Sequence, residues 1–302
     1  MPDPCQYLPG STYSIARRCS ERRRFLRPDG FIAQVFLYLV AWAAKRFNIG
    51  IVAVVVMSNH WHAIVVDWDG KLPRFLRMVH LLSSKCVNTR RGRTEAMWGS
   101  APPSRVRMET PNDTLEQIVY VLANPTKAGA EETAVDWPGL LVGPGIQNVE
   151  SLTAERPSWF FKEKGRTPTS ATLTLLDVPP GFEHLSKEEF AELVAEKLAE
   201  REAKHATERE ERGIGVLGAE GVLAQDWRTA PETPEKPSDF HPHIAAKDVT
   251  VRIAAIARRR QFIADHHESR VRWCRGRRRT CFPAGTYQMR VLFGVRCHPP
   301  PT

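Results

Sequence analysis

The sequence predicts an α+β fold, an antiparallel sheet with helices packed on it. Three observations carry that prediction. The order across residues 13–109 is strand, helix, strand, strand, helix, strand. The two middle strands are apolar and are joined by the short turn Ser58-Asn59. The helices repeat their apolar residues at helical spacing. At 302 residues and 42% hydrophobic, the chain has material for a core and is too apolar for a disordered protein.

Taken in order, Tyr13–Cys19 alternates loosely after Pro9-Gly10 and reads as the first strand. Arg22, Arg23 and Arg24 then form a loop ahead of the helix-start signal Pro28-Asp29-Gly30. The helix from Phe31 to about Phe47 is apolar nearly all round, which implies burial against a sheet. Its apolar block ends by Ala44, contains Gln34 and is shorter than the roughly 20 residues of a membrane span. No signal peptide is evident, so a cytoplasmic, nucleoid-associated protein with no membrane partner is expected.

Strands Ile51–Met57 and His60–Asp67 follow. The second is apolar on both faces (Ala63 and Val65; Ile64 and Val66), as a covered central strand should be. A helix opens near Pro73 and runs to about Asn88, with Leu72, Phe75, Leu76, Val79 and Leu82 as its stripe. Arg90-Arg-Gly-Arg93 ends it, and Ser104–Glu109 is the fourth strand. This order is the ferredoxin-like βαββαβ pattern.

A further helix, opened by Asn112 or Asp113, places Leu115, Ile118, Val119 and Leu122 on one face. Tyr120 and Asn124 fall on the opposite side, where a core tyrosine would not sit. Earlier in the chain, His60 and His62 are two residues apart in a strand and therefore project from one face. Two neutral imidazoles side by side can hold one divalent metal ion.

The net charge is +9 with a pI near 9.4, which makes nucleic acid the default partner. Residues 71–110 carry nine Lys/Arg against two acids and residues 251–302 twelve against two, whereas residues 111–250 are net acidic. Six cysteines without paired CxxC spacing argue for a reducing compartment and against a disulfide framework.

His60-Trp61-His62 after Met57-Ser-Asn, then Arg91-Gly-Arg93, then Tyr120-Val-Leu-Ala-Asn124-Pro125-Thr-Lys-Ala-Gly129 resemble the single-tyrosine HUH transposases, especially the REP-associated branch. The resemblance covers roughly residues 9–140. It implies a ferredoxin-like domain with an added catalytic helix, which cuts and rejoins single-stranded DNA at hairpin-forming repeats. It makes His60 and His62 metal ligands, Asn124 a possible third ligand, Tyr120 the nucleophile and Mg²⁺ or Mn²⁺ the cofactor, in a monomer or homodimer. Two residues depart from the pattern: Trp61 is bulkier than an aliphatic residue, and Pro125 disfavours a helical Asn124.

That chemistry suits the residue types. A phosphodiester repels nucleophiles, and a divalent ion neutralises and orients it. A phenol, mostly protonated at neutral pH, needs activation. Attack leaves a 5′-phosphotyrosine and a free 3′-hydroxyl, and the covalent bond keeps the energy for rejoining. The expected grip on the strand comes from Arg17, Arg18, Arg22, Arg23 and Arg24 beside the first strand and from Lys85, Arg90, Arg91 and Arg93 after the second helix. Two other readings share features: an HUH nickase or relaxase, in which the tyrosine often lies upstream, and a non-cleaving DNA-binding protein, either a domesticated transposase or a repressor.

Beyond residue 140 the resemblance fades, and residues 141–185 read as linker or irregular structure. Residues 186–302 read as a charged, mainly helical and arginine-rich basic extension. Ser186 and Glu189 make a capping box with Leu185 and Phe190 as a staple, opening a helix to about Arg212. Residues 227–239 read as a second linker. Arg258–Arg260 and Arg277–Arg279, interleaved with Phe262 and Trp273, suit nucleic acid. His241-Pro242-His243 lacks an apolar strand, His266-His267-Glu268 reads as solvated, and Cys274, Cys281, Cys297 and His298 match no common zinc spacing.

Overall fold

The computed structural model describes residues 3–146, 151–233 and 242–300. Its elements run β1 (Ser11–Arg18), α1 (Gly30–Phe47), β2 (Ile49–Val56), β3 (His60–Asp67), α2 (Leu72–Arg90), β4 (Ser104–Met108), α3 (Pro111–Leu122) and α4 (Asn124–Lys127). They continue with β5 (Leu141–Val142), β6 (Ser151–Glu155), β7 (Ser170–Thr174), α5 (Lys187–Glu210), α6 (Gly218–Ala224), β8 (Ile244–Ala245) and α7 (Val249–Cys274). The last are β9 (Cys281–Phe282), α8 (Gln288–Phe293) and β10 (Arg296–Cys297).

The central sheet has the order β5-β2-β3-β1-β4-β8, whose inner four strands are the ferredoxin-like arrangement. All neighbours are antiparallel except β4 and β8. Strand alternation gives β3 two distinct faces. Trp61, Ala63 and Val65 join the core under α1 and α2, while Ile64 and Val66 join the core under α3. His60 and His62 share the α3 face by the same alternation. Trp61 is fully buried on the other face. There it donates from Nε1 to His80 Nε2 at 3.1 Å, so its bulk stays clear of the imidazoles.

One irregularity was not visible in the sequence. The β2–β3 register shifts between Ile51 and Ala53, leaving Val52 as an extra residue. Val52 and Ala53 therefore both enter the α3-side core, while Ile51 and Val54 enter the other.

Helix α1 is apolar all round because it is covered twice. The sheet lies on one side, and the β6–β7 hairpin packs on the other, where Val35, Tyr38 and Leu39 meet Ala154, Trp159 and Phe161. The Tyr38 hydroxyl donates to the Pro168 carbonyl at 2.7 Å. Each such fully buried side chain contributes about 1.5–3 kcal/mol. It is the one helix among the described residues long and apolar enough to cross a membrane.

Residues 141–185 were expected to be linker or irregular, and the structure differs. They supply edge strand β5, which pairs with β2, and the hairpin that caps α1. The capping box at Ser186 and Glu189 is present, and Phe190, Val194 and Leu198 of α5 pack into the core beside α3. The basic extension likewise adds to the sheet, through β8 on β4. Residues 225–233 cross the basic loop: Trp227 lies against Phe25, and Arg24 N donates to Thr229 O at 2.9 Å. Residues 234–239 of the second expected linker, and His241 of the His-Pro-His sequence, fall outside the described residues.

Candidate active site

Helix α3 lies across the β3 face that carries the two histidines. Thr110 caps it by accepting from Asp113 N at 3.1 Å, with Pro111 in the first turn, so it begins one or two residues earlier than expected. Leu115, Ile118, Val119 and Leu122 join the α5-side core. The rest of the helix is not free surface. Gln117 accepts from Ser14 on β1 at 3.3 Å, and the half-buried Tyr120 ring stands 5.8 Å from the His62 ring at 88°.

The Tyr120-to-Gly129 sequence has a local physical explanation. Ala123 adopts φ −78° and ψ 6°, which interrupts the helix one residue before Asn124. A new turn starts at Asn124, and Pro125 sits where its missing N–H costs nothing. Gly129, at φ +63°, then ends the turn in the left-handed region, and Ala130 N reaches Pro125 O at 3.0 Å. Asn124 is nevertheless helical, as the first residue of α4, so Pro125 does not keep it out of a helix as expected; the break falls one residue earlier, and the Asn124 side chain is buried.

Asn124 is only 6% exposed. Its Nδ2 donates to Tyr120 O at 2.8 Å and Val121 O at 3.2 Å, which leaves Oδ1 facing His60 Nε2 at 3.5 Å. On the other side of His60, Asn59 Nδ2 donates to Arg22 O at 3.0 Å, so Asn59 Oδ1 must accept from His60 Nδ1 at 2.6 Å. The network thus assigns the proton to Nδ1 and a lone pair to Nε2. Two acceptors, Nε2 and Asn124 Oδ1, then face one another. A cation between them would remove that conflict.

The His60 and His62 rings lie 4.9 Å apart at 87°. Both keep part of their surface toward solvent while protein surrounds them on most sides. Burial pushes His60 down to about 4, with the charges of Arg18 and Lys127 acting in the same direction. Burial also holds His62 well below the ordinary imidazole range. Both rings are therefore neutral at physiological pH, the state a metal ligand needs.

Two imidazoles and an amide fit Mg²⁺ or Mn²⁺, since ligands about 2.1 Å from an octahedral ion lie about 3.0 Å apart. The 3.5 Å separation of Nε2 and Oδ1 is close to that spacing. Among the described residues no group of three or more His, Cys, Asp or Glu side chains could hold a metal ion.

The sequence-predicted arginines do not form one surface. Arg18 pairs with His60 in the β1–β3 register and is exposed. Arg17 points to the other face and stands 5.4 Å from the Trp98 ring. Arg22 and Arg24 donate to Thr233 and Ala230 of the crossing segment, and Arg23 pairs with Glu21 at 2.7 Å.

Arg91 was expected to grip DNA, but its side chain is 5% exposed and is held by Asp29 and the Phe25 carbonyl. It cannot leave that pair cheaply. Arg93 lies 3.7 Å over Phe25, and Arg90 lies near Phe31 and Trp159. Lys85 is exposed on α2, across the sheet from the imidazoles.

Two contributors carried no assigned role in the sequence. Asn59 fixes the His60 tautomer, and its only signal was its place before the first histidine. Lys127 puts Nζ 4.5 Å from the Tyr120 ring centroid. Its signal was its spacing, one helical turn past Asn124.

No family model and no curated protein matches the chain. Among solved structures, a REP-associated tyrosine transposase bound to a REP hairpin is similar at 20% identity, over 46% of this chain and 81% of that one, with a TM-score of 0.39. A protein assigned as a transposase from Deinococcus radiodurans R1 is similar at 14% identity, over 35% of this chain and 85% of that one, with a TM-score of 0.28.

Proposed function

We propose that this chain is a metal-dependent DNA strand transferase that cuts and rejoins single-stranded DNA through Tyr120. The observation that carries the reading is the convergence of the Tyr120 ring on His62, beside a His60–Asn124 pair whose acceptor atoms face each other. A surface tyrosine without a role has no reason to stand on a partly buried imidazole pair.

His60 Nε2, His62 and Asn124 Oδ1 would hold the Mg²⁺ or Mn²⁺. When bound, the ion supplies neutralisation of the phosphodiester and holds it in line. The chain's own residues do the rest. Arg18 and Lys127 place positive charge on the entering strand. Tyr120 Oη forms the bond to phosphorus as the bond from phosphorus to the 3′ oxygen breaks. The phenol's proton passes to solvent, and the departing 3′ oxygen takes one up. In rejoining, a 3′-hydroxyl gives its proton to solvent and bonds to phosphorus as the bond from phosphorus to Tyr120 Oη breaks, and the Lys127 ammonium stabilises the negative charge returning to the phenol oxygen, which then takes up a proton. No ATP is needed, because the phosphotyrosine keeps the energy of the broken bond.

Incubation with Mn²⁺ and labelled single-stranded hairpin DNA should give a denaturation-resistant adduct, absent in Tyr120→Phe, which still binds the DNA. Adducts persisting in Tyr120→Phe would remove the nucleophile assignment. Binding without any adduct in the native chain would favour a non-cleaving DNA-binding protein.

A further inference from the structure

A second concentration of positive charge lies on the opposite face of the sheet, at the β4 edge. The N-terminal segment, β4 and α7 border an open cleft, with a cavity of about 40 Å³ at its base, lined by Cys5, Tyr7, Tyr13, Arg105, Arg107 and Arg259. Arg107 and Arg105 pair in register with Tyr13 and Ile15 of β1, on the side away from the imidazoles.

The charges in the cleft do not balance. Arg107 and Arg258 share the carboxylate of Glu109, at 2.7 and 2.6 Å, and Arg259 reaches the exposed Asp3 at 3.4 Å. Among the described residues no ion pair engages Arg105. Its Nη1 donates to the Tyr7 hydroxyl at 2.5 Å, and its Nη2 approaches Cys5 Sγ at 3.6 Å.

The phenols are held neutral. Burial raises Tyr7 strongly and takes Tyr13 up to about 12. The Tyr13 hydroxyl is buried without a hydrogen-bond partner. A half-buried guanidinium with spare donors, beside neutral hydroxyls and further arginines, suits a tetrahedral dianion or monoanion.

We propose that this cleft is a phosphate-binding site centred on Arg105, taking either the terminal phosphate of a nucleotide or strand or an internal phosphodiester. It is assembled from residues 4–7, 105–107, 243–244 and 259, and so is finished only by segments outside the βαββαβ core. It stands apart from the Tyr120 chemistry and does not depend on it. A strand that occupied both sites would have to pass round the β4 edge of the sheet.

The test uses the full chain in two arms. Calorimetric titration with inorganic phosphate, at ionic strength held with chloride, should show saturable binding that Arg105→Gln weakens roughly tenfold or more. Tyr7→Phe should weaken it less, and Tyr120→Phe should leave it unchanged. If Arg105→Gln fails to fold, Arg105→Lys keeps the charge, loses the fork and should still weaken binding.

Fluorescence anisotropy with short oligothymidylates bearing a 5′-phosphate or a 5′-hydroxyl separates the sources. A preference for the 5′-phosphate that Arg105→Gln abolishes identifies a terminal phosphate. Equal affinities that both fall in Arg105→Gln identify an internal one. No saturable phosphate binding by the native chain, or binding that Arg105→Gln and Arg105→Lys leave unchanged, would overturn the proposal.

Discussion

Replacing Asn59 with alanine should loosen the proposed metal site while leaving the sheet intact. The substitution deletes the acceptor 2.6 Å from His60 Nδ1, which fixes both the tautomer and the rotation of the ring. One such hydrogen bond is worth about 1–1.5 kcal/mol net. At about 1.4 kcal/mol per tenfold, that alone weakens Mn²⁺ binding roughly five- to tenfold. Freeing the second tautomer, which turns N–H rather than a lone pair toward Asn124, extends the loss into the roughly 10–100-fold range of outer-shell substitutions. Asn59→Asp keeps the acceptor and adds charge, so it should retain or tighten binding even though it loses the donor to Arg22 O. Free Mn²⁺ measured by electron paramagnetic resonance during titration reads all three proteins, with a thermal melt as the folding control. An Asn59→Ala chain that folds and binds Mn²⁺ as tightly as the native one would refute the tautomer argument.

Without divalent ions, stability should fall as pH drops from about 6.5 toward 4 and stay level above. The unfolded chain takes up protons at both imidazoles in that window, whereas the folded His60 resists to about 4 and His62 further still. Urea midpoints at several pH values measure this, and His60→Gln should remove part of the slope. His80→Ala leaves the Trp61 N–H without its acceptor in a sealed core, costing about 2–4 kcal/mol in urea unfolding. Adduct yield at low temperature should not change, because His80 lies across the sheet from Tyr120. Gly129→Ala should cost about 1 kcal/mol through its φ of +63° alone, since the added Cβ meets nothing closer than 3.7 Å. Adduct yield should fall more than that cost explains, because the turn carrying Asn124 and Lys127 shifts with it.

Much of the site was legible because it depends on local periodicities. The two-residue repeat puts His60 and His62 on one face, and the helical repeat puts Tyr120 and Asn124 together. The structure brings all four side chains into one place. The arginines were not legible in the same way, since tertiary partners set their roles: Asp29 takes Arg91, and Thr233 takes Arg22. β5 and β8 are two residues long and carry no periodicity of their own. The β6–β7 hairpin lies in a Gly-, Pro- and Thr-rich stretch that reads as loop, and only the all-round apolarity of α1 hinted that a second layer had to cover it. The cleft around Arg105 joins residues 4–13 to residues 105–107 and 243–259, so no local window contains it.

The central claim is that Tyr120 itself becomes bonded to DNA. Tryptic digestion of a trapped adduct, followed by mass spectrometry, tests this directly, because the peptide running from Met108 to Lys127 contains Tyr120 as its only tyrosine. The account predicts a nucleotide mass on that peptide, localised to the phenol. A nucleotide mass on any other residue would contradict it.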